Sequence, residues 1–112
     1  MERDVYVFIE HIKIEIDKIV NSVVGKTKDD FELDENLKDA TIRRIEVIGE
    51  AVKNIPEEFR IEYPEIEWQV IAGMRDKLIY NYFGRDLEKI WNVVEIEIPK
   101  LKKKIERIMI KK

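Results

Sequence analysis

The sequence predicts an all-α antiparallel up-and-down bundle, built as a single domain over residues 1–112. Three observations predict it. Apolar residues recur at intervals of three and four in four separate segments. The few Gly and Pro residues fall mostly at the breaks between those segments. No stretch keeps the period-two alternation that a half-buried strand needs.

The first segment runs from about Asp4 to Val24. Val5, Phe8, Ile12, Ile16, Ile19 and Val23 form its stripe, and Gly25 is placed to cap its C-terminus. Tyr6, Val7, Ile9, Ile14 and Val20 widen the apolar surface beyond one face, which predicts a partner chain covering the rest. The second segment runs from about Asn36 to Asn54, with Leu37, Thr41, Ile45, Ile48, Val52 and Ile55 in register. Pro56 ends it, because the residue before a proline is pushed out of helical geometry. Residues 56–67 read as a connection. The third helix, about Trp68 to Tyr80, carries Ile71, Met74 and Leu78, and Gly84 breaks it. Asp86 is placed to cap the fourth, whose seam is Leu87, Trp91, Val94, Ile98, Leu101, Ile105 and Ile108. Pro99 lies inside that seam without disturbing its phase, which predicts one kinked helix rather than two.

Composition narrows the function classes. There is no cysteine, so no disulfide framework, thiolate nucleophile or cysteine-ligated zinc. The one histidine, His11, does not make a multi-histidine metal site, and no metal or other cofactor is expected. No apolar run reaches the ~18 residues of a membrane span, and the N-terminus lacks a secretory pattern, so a cytoplasmic protein with no membrane partner is expected. Charged residues make up 40% of the chain, yet Lys+Arg 21 nearly balances Asp+Glu 24, so general affinity for nucleic acid is not expected, though a local basic patch is compatible. Abundant Lys, Glu and Ile with a single Gln resemble a hyperthermophile composition.

Catalytic signals are sparse. Ser22 is the only serine and has no histidine near it in sequence. His11 reads as a surface or partly buried helical residue. The segment Gly73–Asp86 is denser, with two arginines and several aromatics around a helix end. On a continuous helix Arg75 and Tyr82 are seven apart and share a face within about 20°, whereas Tyr80 points roughly 140° from Arg75. Arg75 and Tyr80 converge only if the helix unwinds near Phe83 or if two protomers contribute one group each. An arginine among aromatics suits phosphate and base contacts. It equally suits a bundle helix ending in aromatic core residues, with Arg75 in a salt bridge.

Ordered matches then place the chain beside a known family. They are Asp39–Ala51, Tyr63–Trp68, Ile71–Ile79, Tyr82–Leu87 and Trp91. Across nearly its whole length the chain resembles the HepT-like proteins, minimal HEPN domains that form the toxin half of MNT–HEPN (HepT–MntA) toxin–antitoxin systems. The resemblance implies a homodimeric four-to-five-helix bundle with a cleft between protomers. It implies a metal-independent ribonuclease with the signature R-x4-H-x-Y, and a nucleotidyltransferase partner that attaches AMP to the motif tyrosine. Here the arginine is Arg75 and the tyrosine is Tyr82, but Tyr80 occupies the histidine position.

That departure has a chemical consequence. Imidazole titrates near ~6.5 and exchanges protons readily at neutral pH, whereas a phenol titrates near ~10. Tyr80 would donate a proton but accept one poorly, so weak or absent cleavage is expected. The alternative is a non-catalytic helical partner that binds the nucleotidyltransferase or a nucleotide. Asp39, Arg43, Glu46 and Glu50 share a face of the second helix and either line the cleft or form an ion-pair ladder. Asp76 either orients Arg75 or is solvated.

Overall fold

A computed structural model describes the backbone of residues 2–83 and 87–111, and the side chains of residues 5–74, 76 and 88–110. Helices α1 (Glu2–Ser22), α3 (Glu35–Lys53) and α5 (Trp68–Phe83) are three long elements of the bundle. The fourth is a continuous run of α6 (Leu87–Asn92), a π-helical turn (Val93–Glu97) and α7 (Ile98–Lys111). Short helices α2 (Lys28–Leu33) and α4 (Glu57–Glu62) occupy two of the connections. There is no strand among the described residues.

The packing closes a ring. Helix α1 lies against α3, α3 against α5, α5 against α6, and α7 returns to α1. The apolar stripes meet along the axis of this ring. Ile9, Ile12, Ile16 and Ile19 of α1, Ile45 and Ile48 of α3, and Ile98, Ile105 and Ile108 of α7 are almost wholly removed from solvent. Each such side chain contributes about 1.5–3 kcal/mol by burial. In α1 the inward residue is Ile9, with Phe8 half-buried at the margin. Val7 and Ile14 remain exposed, so part of the broad apolar surface of α1 is uncovered within the chain.

The helix ends follow their local chemistry. Gly25 has φ +73, a left-handed turn that costs glycine nothing. Thr27 then starts α2 with a capping box: Asp30 N–H donates to Thr27 Oγ1 at 3.1 Å, and Thr27 N–H to Asp30 Oδ2 at 2.9 Å. Asp34 caps α3 through a 2.9 Å bond from Leu37 N–H. The capping role expected of Asp86 lies outside the described residues.

Pro99 acts through the turn before it. It has no N–H to donate and its ring crowds the carbonyl four residues back. The chain widens to a π turn, in which Ile98 N–H bonds Val93 C=O, and then resumes as α7 without losing the seam.

Helix α4 was not foreseen; residues 56–67 read as a plain connection. It is held by hydrogen bonds that no periodicity reveals. Arg60 donates to the Ile55 and Val52 carbonyls at 3.1 and 2.7 Å, satisfying the C-terminal end of α3. Trp68 Nε1–H donates to the Arg60 and Tyr63 carbonyls at 3.2 and 3.1 Å. Phe59 packs beneath, with ring centroids 4.9 Å from Tyr63 and 5.8 Å from Tyr6.

Candidate functional site

Helix α5 carries the candidate motif. It enters from the Tyr63–Trp68 corner and packs closely on α3 at Gly49. A Cβ built on Gly49 would sit 3.4 Å from the Ala72 carbonyl oxygen, so this small residue sets how near the two helices lie. The helix runs unbroken to Phe83. The unwinding that would bring positions 75 and 80 together within one chain therefore does not occur before Phe83. The side chains of Arg75, Tyr80 and Tyr82 lie outside the described residues.

The helical register still assigns these positions to faces. Position 75 follows the buried Ile71 by four and the buried Trp68 by seven, and position 82 follows 75 by seven. Position 80 follows the exposed Asp76 by four and the exposed Gly73 by seven. Two strips of one helix thus hold the motif, and they diverge.

On α3, Arg43 Nη1 bonds Glu46 Oε1 at 2.8 Å, and Glu50 pairs with Lys53 at 3.6 Å. These residues form local i,i+3 pairs, and the Arg43 side chain is largely in solvent. Asp39 is also exposed and engaged with a neighbour. Asp76 is exposed and has an interaction partner. Ser22 Oγ donates to the Ile19 carbonyl at 2.8 Å, back-bonding its own helix, and His11 is exposed on α1.

Two features escaped the sequence reading. Arg44 buries one guanidinium nitrogen, Nη1, with no hydrogen-bond partner among the described residues. Gly73 sits exposed in mid-helix, and a Cβ built there meets nothing within 4 Å. The signal for Gly73 was its position: a glycine inside a helix is unfavourable by about 1 kcal/mol against alanine. Unlike Gly49, it is not set by a close approach of another element.

A hollow of about 860 Å³ lies beside Arg60, Trp68 and Val70 at the start of α5. At 1.5 Å rise per residue, position 80 is roughly 18 Å further along the axis. The motif and this hollow are therefore at different ends of α5.

Residues 12–108 match the family described as "Ribonuclease HepT-like". The chain belongs to the HepT-like ribonuclease family. "Putative RNase TTE0752" of Caldanaerobacter subterraneus subsp. tengcongensis is 44% identical, with 91% of each chain covered. "Probable ribonuclease HepT" of Thermococcus cleftensis is 49% identical over 71% of this chain and 73% of its own. "Gamma-glutamylcyclotransferase and putative RNase MJ0434" of Methanocaldococcus jannaschii is 50% identical over 97% of this chain, which spans 49% of that longer relative. No solved structure matches the chain significantly. The all-helical bundle expected of a HepT-like protein is the fold observed. No helix among the described residues is long and apolar enough to cross a membrane.

Proposed function

We propose that this chain is the ribonuclease toxin of a HepT–MntA-type toxin–antitoxin pair, acting as a homodimer and silenced when a partner nucleotidyltransferase attaches AMP to Tyr82. The observation that supports it most is family membership over residues 12–108, together with Arg75 and Tyr82 at the family's motif spacing on one unbroken helix. In this reading Arg75 binds the scissile phosphate and stabilises the charge that builds on it. The RNA 2′-oxygen attacks phosphorus and loses its proton, the P–O5′ bond breaks, and the leaving oxygen takes a proton. Tyr80 is suited to the second transfer and poorly suited to the first.

Gly73 supports the dimer. Gly73 and Asp76 are exposed, a Cβ built on Gly73 meets nothing within 4 Å, and a bare backbone there allows a second α5 to approach closely. A dimer would also allow Arg75 of one protomer and Tyr80 of the other to serve one phosphate, which a single straight helix does not.

A second reading is favoured by Tyr80 itself: a non-catalytic bundle that binds the nucleotidyltransferase or a nucleotide. A cleavage assay on the purified protein separates the two. Slow RNA cleavage that disappears in Arg75→Ala supports the nuclease. Cleavage absent from the natural chain and from Tyr80→His alike leaves the binding protein.

A further inference from the structure

We propose that the outer face of α7 is a phosphate-backbone track that holds RNA beside the motif helix. This rests on the RNA-acting reading for the choice of polymer, and on charge and geometry for the site. Residues 98–112 hold seven Lys or Arg and one Glu. The other ninety-seven hold fourteen Lys or Arg and twenty-three Asp or Glu. An excess of six positive charges therefore falls in this C-terminal stretch, against an excess of nine negative ones in the rest of the chain. The net charge of −3 conceals this division.

The helix sorts the cations by face. Ile98, Leu101, Ile105 and Ile108 point into the core. Lys102, on the flank, is committed to Asp17 at 3.3 Å. Lys100, Lys103, Lys104 and Arg107 recur at three, four and seven, which places them within an arc of about 100° on the opposite side. Lys100, Lys103 and Arg107 are exposed and Lys104 is half-exposed. No ion pair joins any of the four to another described residue. Unneutralised cations this close repel one another, and a polyanion relieves that repulsion while releasing its own counterions.

The stripe borders a groove of about 230 Å³ between α5 and α7. Lys100 and Lys104 stand on its α7 wall, and Val70 and Met74 on its α5 wall. Met74 immediately precedes Arg75, so the track leads to the level of the motif. Glu67 and Glu97 also line the groove, which keeps phosphates on the lysine wall and away from the glutamates.

The test is RNA binding by the full chain, measured by fluorescence anisotropy with a labelled single-stranded RNA and with the same sequence as a duplex. Four lost phosphate contacts on a single strand lower the slope of log K against log salt by about 3, which weakens binding roughly 50-fold more between about 50 and 200 mM salt in the natural chain than in the variant. The variant carries Lys100→Gln, Lys103→Gln, Lys104→Gln and Arg107→Gln. Lys18→Gln with Lys53→Gln removes two cations elsewhere and should leave the slope nearly unchanged. Equal slopes for the quadruple variant and the natural chain overturn the proposal, as does an equal loss in the control. Absence of binding to either RNA at low salt also overturns it, and leaves the stripe to an acidic protein partner. Cleavage measured on the same preparations separates the two claims. Salt-sensitive binding that depends on the stripe, without any cleavage, keeps the track and removes the nuclease. Cleavage that needs Arg75 but is indifferent to the quadruple variant in KM does the reverse.

Discussion

At position 80 a phenol stands where the family signature has an imidazole, and the two groups differ in what they do at neutral pH. Imidazole both accepts and donates protons there, while a phenol holds its proton until pH approaches ~10. General acid–base catalysis contributes ~10²–10⁴ in rate. Tyr80→His is therefore expected to raise single-turnover RNA cleavage by at least 10-fold, and an unchanged rate would show that position 80 takes no part in proton transfer. Position 82 has a different test. With the cognate nucleotidyltransferase and labelled ATP, Tyr82→Phe should lose AMP incorporation while keeping its helical content. Labelling that persists there but disappears in Tyr80→Phe would move the acceptor by two residues. Neither tyrosine can be read from periodicity, because the helical repeat describes which face a residue occupies and not its chemistry.

At the scale of elements, the long helices were legible and the short ones were not. Stripes of Ile and Val at three-four spacing define α1, α3 and α7 because burial of a continuous face is what stabilises an amphipathic helix. Helices α2 and α4, six residues each, are too short for a period to emerge. Their signals are chemical: Thr27-x-x-Asp30 is a capping box, and Arg60 and Trp68 satisfy carbonyls across the turn. Pro99 was expected to kink or break its helix, and the structure answers it with a π turn just before the proline, after which the helix continues. The join between α1 and α7 is electrostatic as well as apolar. Burial works against ionisation of Asp17, but Lys13 at 2.7 Å and Lys102 at 3.3 Å outweigh it and hold the carboxyl below the usual range. A carboxyl depressed in the folded state stabilises the fold above its unfolded pKa, near ~3.9, and loses that contribution as pH falls through the lower folded value. Asp17→Asn should cost about 0.5–1 kcal/mol at pH 7, screened because the pair is partly exposed, and the difference from the natural chain should shrink below about pH 4 in urea melts. A difference that stays constant down to pH 2 would assign the loss to packing instead.

Over the whole molecule, the ring of four long elements buries one apolar seam and leaves Gly73 bare on its outer side. If α5 pairs with a second α5 there, Gly73→Leu should convert the dimer to monomer in sedimentation equilibrium while circular dichroism remains helical, since open space surrounds that position within the chain. A variant that remains fully dimeric would place the interface elsewhere, with the exposed Val7 and Ile14 of α1 the next surface to alter.

Composition and periodicity by themselves determined the helical class, the order of the long helices, and most of the residues on their buried faces, because those depend on local propensity and on which side chains water rejects; Phe31, Phe59 and Ile66, which enter the core from the connections, were not legible that way. The ordered motifs determined the family and the positions of Arg75, Tyr80 and Tyr82. Only the tertiary structure decided how far α5 continues, and so that Arg75 and Tyr80 lie on diverging strips of one helix. It also decided that Gly49 serves a contact within the chain and Gly73 does not, and that Lys102 is neutralised while Lys100, Lys103, Lys104 and Arg107 share an open face. These are distinctions between neighbours in space, and a sequence states only neighbours in order.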